Sequence, residues 1–226
     1  MIRPPVQLRV DRPFIDWAWL GRNAEEIASR TLEHVILTFI AVGIGFVIAL
    51  GLSIVALRNR GLYGPITAVT NVMYTIPSLA LFAALVPFTG LSLLTAEIGL
   101  VSYTLLIIIR NTVAGIDSVP AAVKEAADGM GYTPRARFWR IEVPLALPVI
   151  VAGVRIATVT TVGLVTVASI IGHGGLGTFI LRGFQTFDWT RILVGTVGSV
   201  VIATVLDLFF IWLERRLTPW ARSRTA

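Results

Sequence analysis

What most constrains this chain is a run of apolar residues long enough to cross a bilayer, repeated along its length. Residues 35–57 carry no charge, and Arg58 and Arg60 close the run. Further blocks follow at 66–88, 93–109, 149–171 and 192–213, with charges inside them at Glu97, Arg155 and Asp207. About 20 helical residues cross the hydrocarbon core. Inside lipid only helices and closed barrels satisfy every backbone polar group. The blocks predict an all-α polytopic membrane protein with about five transmembrane helices. Composition agrees: 55% of residues are hydrophobic and only 14% charged, against about 25% charged in a soluble domain.

Several classes of function drop out. There are no cysteines, which removes disulfides and thiolate metal sites. His34 and His173 have no acidic neighbours at ligand spacing, so no metal site is expected. No Ser/His/Asp set clusters, and no independent hydrolysis is expected. The net charge of +6 comes from 18 Arg and a single Lys. It is read as charge retained on the cytoplasmic side rather than as a nucleic-acid footprint. The first 30 residues are mixed in charge and lack an apolar core, so they do not resemble a cleavable signal peptide. The first span must direct insertion itself.

The chain divides into an extracytoplasmic or interfacial segment (1–34), a membrane domain (35–213) and a cytoplasmic tail (214–226). The first segment holds Pro4, Pro5, Pro13, Trp17 and Trp19. It reads either as a short interfacial helix or as a poorly ordered tail. Loops 58–65 and 110–148 and the tail share one side and hold eleven basic residues. The loops opposite hold only Arg182 and Arg191. That places the N-terminus outside and the C-terminus in the cytoplasm, although five arginines in the N-terminal segment pull the other way.

Within the second span, Pro77 should kink the helix, either as a structural bend or as part of a path lined by Tyr74, Pro77, Ser78 and Phe82. Glu97 is expected to reach the outer headgroups. Arg155 and Asp207 fall at similar depth, so they either form an ion pair across two spans or snorkel to the inner surface. Gly172 to Gly177 is too rich in glycine for a helix, and it lacks the Lys-Ser/Thr of a phosphate loop. It reads either as a flexible outer turn, built on Gly172, Gly174, Gly175 and Gly177, or simply as a loop.

The polar interruption at 117–144 is the most informative stretch. Asp117-Ser118 before Pro120 signals a helix start, and Gly129 and Gly131 signal its end. Thr133-Pro134 starts a second short helix, and Pro144 and Pro148 should break the chain before the fourth span. A cytoplasmic helix–turn–helix results. Small side chains at Ala126 and Ala127 would let another surface approach, with Lys124 and Glu125 at the rim. It is either a seat for a partner's groove or a solvated loop.

Glu125-Ala126-Ala127, then Gly131 and Ile141-Glu142-Val143-Pro144, resembles the signature loop of importer-type ABC-transporter permeases, with Val143 standing for Leu. The resemblance implies the methionine-importer-like fold. It also implies that Glu125, Ala126, Ala127, Asp128, Gly131, Ile141 and Pro144 couple the spans to a cytoplasmic ATPase dimer. That dimer would hold ATP and Mg, leaving this chain a transport subunit, not an enzyme, with no cofactor of its own. A narrower resemblance runs over residues 33–220, through Tyr74-Thr75-Ile76-Pro77-Ser78, Arg110-Asn111-Thr112, Glu142-Val143-Pro144 and Ile171-Gly172-His173-Gly174-Gly175. It is to permeases of osmoprotectant uptake, for glycine betaine, carnitine, choline or proline betaine. The implied setting is a prokaryotic cell membrane. The implied partners are a second permease subunit, identical or not, and an extracytoplasmic binding protein, with no nucleic acid. Uptake of methionine or a similar solute, and a passive channel or membrane scaffold, are the alternative readings.

Overall fold

The computed structural model describes residues 14–220. Pro4, Pro5, Pro13, Arg222 and Arg224, used in the sequence reading, lie outside the described residues. A short helix α1 (Trp17–Arg22) opens the chain, its first turn capped by the Asp16 carboxylate accepting from the Trp19 N–H. The first membrane helix, α2 (Ala24–Arg58), has 35 residues. At 1.5 Å per residue it is about 52 Å long, well beyond the ~30 Å hydrocarbon core. It therefore starts ten or so residues before the apolar block, because Glu25, Glu26 and their neighbours are good helix formers that need no lipid.

The second block is not a kinked helix. α3 (Tyr63–Thr75) and α4 (Ser78–Thr89) meet at 96°. Ile76 and Pro77 are both extended, with ψ of 127° and 133°. Proline drives the residue before it out of helical conformation, and with two residues extended the helix is broken rather than bent. Among the described residues four helical runs are long and apolar enough to span, and the broken pair, counted as one span, brings the number to five.

α5 (Leu93–Asp117) is the hub. It packs against α2, α3, α4 and α8, and 67% of its apolar window is buried, against 17% for the last helix. Leu100, Ile108 and Ile109 on this helix are fully enclosed in two apolar clusters. Glu97 does not reach headgroups: it is 7% exposed, and neither carboxylate oxygen has a hydrogen-bond partner. The reason is that its face of α5 points into the bundle.

Two short helices follow, α6 (Ala121–Gly129) and α7 (Pro134–Arg137). A π turn over Phe138–Glu142 then leads without a break into α8 (Val143–Val167) and a 3₁₀ turn (Ala168–Ile171). Pro144 and Pro148 do not interrupt this run. Pro144 follows directly on the π turn, where the i→i−4 ladder is already interrupted, and Pro148 lies inside α8. α9 (Gly177–Thr186) and α10 (Trp189–Leu217) complete the chain. α10 packs on α8 and α9 and leaves Val200, Val205 and Leu208 exposed, an apolar face suited to lipid or to another subunit.

Candidate functional site

The polar loop is built around α6. Asp117 and Ser118 do not cap it, because they are the last residue and the C-cap of α5. The Asp117 carboxylate instead accepts two bonds from the Arg60 guanidinium, at 2.9 and 2.5 Å. The Ser118 hydroxyl donates to the Gly115 carbonyl at 2.7 Å. α6 begins after Pro120. At its other end Gly131 takes φ +83°, the Tyr132 N–H reaches back to the Ala127 carbonyl, and the Gly131 N–H to Asp128. This is a Schellman cap, which needs a left-handed residue at the position glycine fills. The Thr133 side chain then caps α7 by accepting from the Ala136 N–H.

Charges hold the two short helices together. Glu142 is buried on the π turn. Arg137 donates through Nε to Glu142 Oε1 at 2.8 Å and through Nη1 to Asp128 on α6. Lys124 lies 3.9 Å from Glu142 Oε2 and donates to the Ile116 carbonyl at 3.4 Å. Positions five apart do not face each other on an α-helix. The wider π turn brings Arg137 and Glu142 together, and this is why sequence spacing missed the pair. Glu125 and Ala126 point outward, while Ile141 and Pro144 are half-buried. Ala127, unlike the surface position expected for it, is packed inward at 0% exposure and offers no surface to a partner.

Along the expected path, Tyr74 and Pro77 are exposed and Ser78 is half-buried. Phe82 is not on it. Only 1% exposed, it lies so close over Gly99 that a Cβ there would sit 2.4 Å from its ring. The break at Pro77 is held by a residue sequence reasoning overlooked. The Tyr103 hydroxyl, from α5, donates to the Ile76 carbonyl, and its ring meets Tyr74 edge-on at 5.8 Å between centroids. Arg155 and Asp207 are brought together by α8 and α10 in a two-pronged ion pair, with Nη2 to Oδ2 at 2.7 Å.

Most of the glycine run is packed; Gly172 is exposed, at φ +87° with nothing within 4 Å of an added Cβ. Gly174, Gly175 and Gly177 are buried. A Cβ on Gly174 would sit 2.3 Å from the Ser169 backbone nitrogen, on Gly175 2.6 Å from His34 Cβ, and on Gly177 2.3 Å from the Thr166 carbonyl oxygen. Gly177 is also the first residue of α9. The turn thereby locks α8 and α9 to α2, with His34 Nε2 donating to the Val162 carbonyl oxygen at 3.0 Å.

Residues 34–219 match the family described as the binding-protein-dependent transport system inner membrane component. The chain belongs to that family. The permease is 37% identical to the choline transport system permease protein OpuBB of Bacillus subtilis over 91% of its own length and 95% of the relative's. It is 36% identical to the osmoprotectant import permease protein OsmW of Salmonella typhimurium, over 87% and 94% of the two chains. In fold it is similar to a chain of an inward-facing MetNI methionine ABC transporter, with a TM-score of 0.79 at 23% identity, over 90% of the permease and all of that chain. It is thus a transport subunit of the ABC-importer class and not an enzyme.

Proposed function

We propose that this permease carries osmoprotectants such as glycine betaine, choline, carnitine or proline betaine into the cell, driven by a partner ATPase. The observation that carries the substrate class is the agreement among relatives. Permeases named for choline, osmoprotectant and carnitine transport match at 34–37% identity over about nine tenths of this chain. The likeness to the methionine transporter supports the fold alone.

In this reading the α6–α7 loop faces the cytoplasm, as the excess of Lys and Arg on that side favours, and the N-terminus lies outside. Glu125, Ala126 and Asp128 meet a groove on one subunit of an ATPase dimer. Gly131, Ile141 and Pro144 set the shape of the loop, and Ala127 seats α6 on the bundle. ATP binding draws together the loops of two permeases, identical or paired with a second kind. Because Arg137, Glu142 and Asp128 bind the loop into one piece continuous with α8, its displacement passes to the spans as rigid-body movement. The ATPase drives the change only through unequal affinity for the two states. A cavity between the permeases then opens outward to a loaded binding protein delivered near the glycine turn. Tyr74, Pro77 and Ser78 lie along the path, with the broken α3–α4 pair as its bending point.

The test is reconstitution with the ATPase and the binding protein. Ala126→Trp on the exposed face of α6 should abolish substrate-stimulated ATP turnover and uptake together. Uptake that persists unchanged without the ATPase would mark a passive channel and end the importer reading. A binding protein that holds methionine and no quaternary ammonium compound would end the osmoprotectant reading alone.

A further inference from the structure

The ends of α2 and α5 and the α6–α7 loop enclose a cavity of about 440 Å³. Arg58, Arg60, Lys124, Arg135 and Arg137 line it, against a single carboxylate, Glu142. Three of these cations are matched: Arg60 by Asp117, Arg137 and Lys124 by Glu142. Arg58 and Arg135 have no carboxylate partner among the described residues. Two positive charges are therefore left uncompensated at the cavity wall.

An apolar groove of about 180 Å³ continues from it, sharing Ile54, Leu57, Phe138 and Trp139 with the cavity. Along α2 the groove runs over Phe46, Leu50, Ile54 and Leu57, one face of the helix. From Phe46 to Leu57 is about 17 Å at 1.5 Å per residue, close to the ~15 Å of hydrocarbon in a single leaflet. Trp139, 49% exposed, stands where cavity and groove meet, the level at which indole rings collect in membrane proteins.

We propose that this cavity and groove together bind one anionic phospholipid. Its phosphodiester lies between Arg58 and Arg135, and one acyl chain lies along α2. A free anion would use the cavity and ignore the groove, and an uncharged lipid would use the groove and ignore the arginines. A zwitterionic lipid would add its own ammonium to a wall of five cations and one carboxylate, so a lipid of net negative charge fits both best. The headgroup also rests beside Lys124 and Arg137, the residues that pin the loop, so lipid occupancy stiffens the coupling helix. None of this depends on the transported solute or on which leaflet the cavity faces.

Native mass spectrometry of the full chain in detergent tests it, with phosphatidylglycerol, phosphatidylcholine and glycerol phosphate offered in turn. One phosphatidylglycerol should be retained under conditions that strip phosphatidylcholine. The double variant R58Q/R135Q should weaken that binding about thirtyfold, from two membrane-facing charges removed. R58K/R135K and the exposed control R110Q should keep it, which separates lost charge from lost fold. Leu50→Trp in the groove should weaken the lipid but not glycerol phosphate. Equal retention of both lipids, unaltered binding by R58Q/R135Q, or displacement of the lipid by equimolar glycerol phosphate each overturns the proposal. So does a lipid-free dimer that Leu50→Trp dissociates, since a second copy of the chain would then own the groove.

Discussion

Between α5 and α8 the chain turns through charged residues, and between α8 and α10 it turns through glycine. The first turn is held by side chains reaching across: Arg137 to Asp128 and Glu142, Lys124 to Glu142, Arg60 to Asp117. The second is held by backbone lying directly on backbone, with Gly174 against Ser169 and Gly177 against Thr166. Charged braces suit a piece that projects into water and must keep its own shape while it moves as a body. Backbone contact suits a corner that must not move relative to the helices it joins. The two kinds of lock fail differently, and that difference can be measured.

The largest effect is expected at the packed corner. In Gly177→Ala the new methyl would meet the Thr166 carbonyl oxygen at 2.3 Å and its Cα at 2.4 Å. Both belong to backbone, which has nowhere to go, so a loss of about 3 kcal/mol is expected. A melting temperature in detergent would show it. A variant as stable as the parent would mean that α8 and α9 can slide, and that the corner is a hinge after all.

Next comes the buried brace. Glu142→Gln leaves Arg137 and Lys124 without their shared carboxylate, at a cost of about 2 kcal/mol for bonds to a charged group. The loop should loosen while the corner stays intact. Hydrogen exchange should therefore rise over 121–142 and stay level over 172–186. Equal loosening of both would show that the two locks are one cooperative unit.

Gly131→Ala isolates conformation from packing. A Cβ at Gly131 meets nothing within 4 Å, and only φ +83° opposes it. The cost is about 1 kcal/mol for a left-handed non-glycine residue, a third of that at Gly177. The ratio of the two alanine effects, from the same pair of melting curves, tells a strained cap from a crowded contact. Two equal losses would contradict the geometry.

How much of this was legible beforehand follows the same division. The spans and the α6 cap were readable, because long uncharged runs and Gly131 each have one local cause. Burial was not. A membrane helix is apolar on every side, so the periodicity that marks an inward face in a soluble helix is lost. Phe82 and Glu97 are accordingly expected on surfaces they do not occupy, while on the short polar helix α6 two adjacent alanines, Ala126 outward and Ala127 buried, carry no side-chain chemistry to tell their faces apart. The break at Pro77 is stabilised by Tyr103, which bonds Ile76 from 27 residues away, and the Arg137–Glu142 brace exists only because five residues complete a π turn. Both depend on partners or geometry that local pattern does not encode. The glycine run was read as loose because glycine frees a chain. Here it serves the opposite end, removing side chains so that two backbones can touch.

The smallest effect on stability should carry the largest effect on transport. Ala126 is exposed on α6 and belongs to neither lock. Ala126→Trp should change the stability by no more than about 0.5 kcal/mol, the usual range for a surface site. If the outward face of α6 seats in an ATPase groove, an indole there holds the two surfaces apart. Co-purification with the ATPase should weaken, and substrate-stimulated ATP turnover should fall to its basal rate. Glu142→Gln should instead leave assembly largely intact and reduce the uptake gained per ATP, since the handle is gripped but bends. Measuring assembly and coupling on both variants separates contact from rigidity. An Ala126→Trp permease that assembles and transports normally would place the ATPase on some other face of the loop.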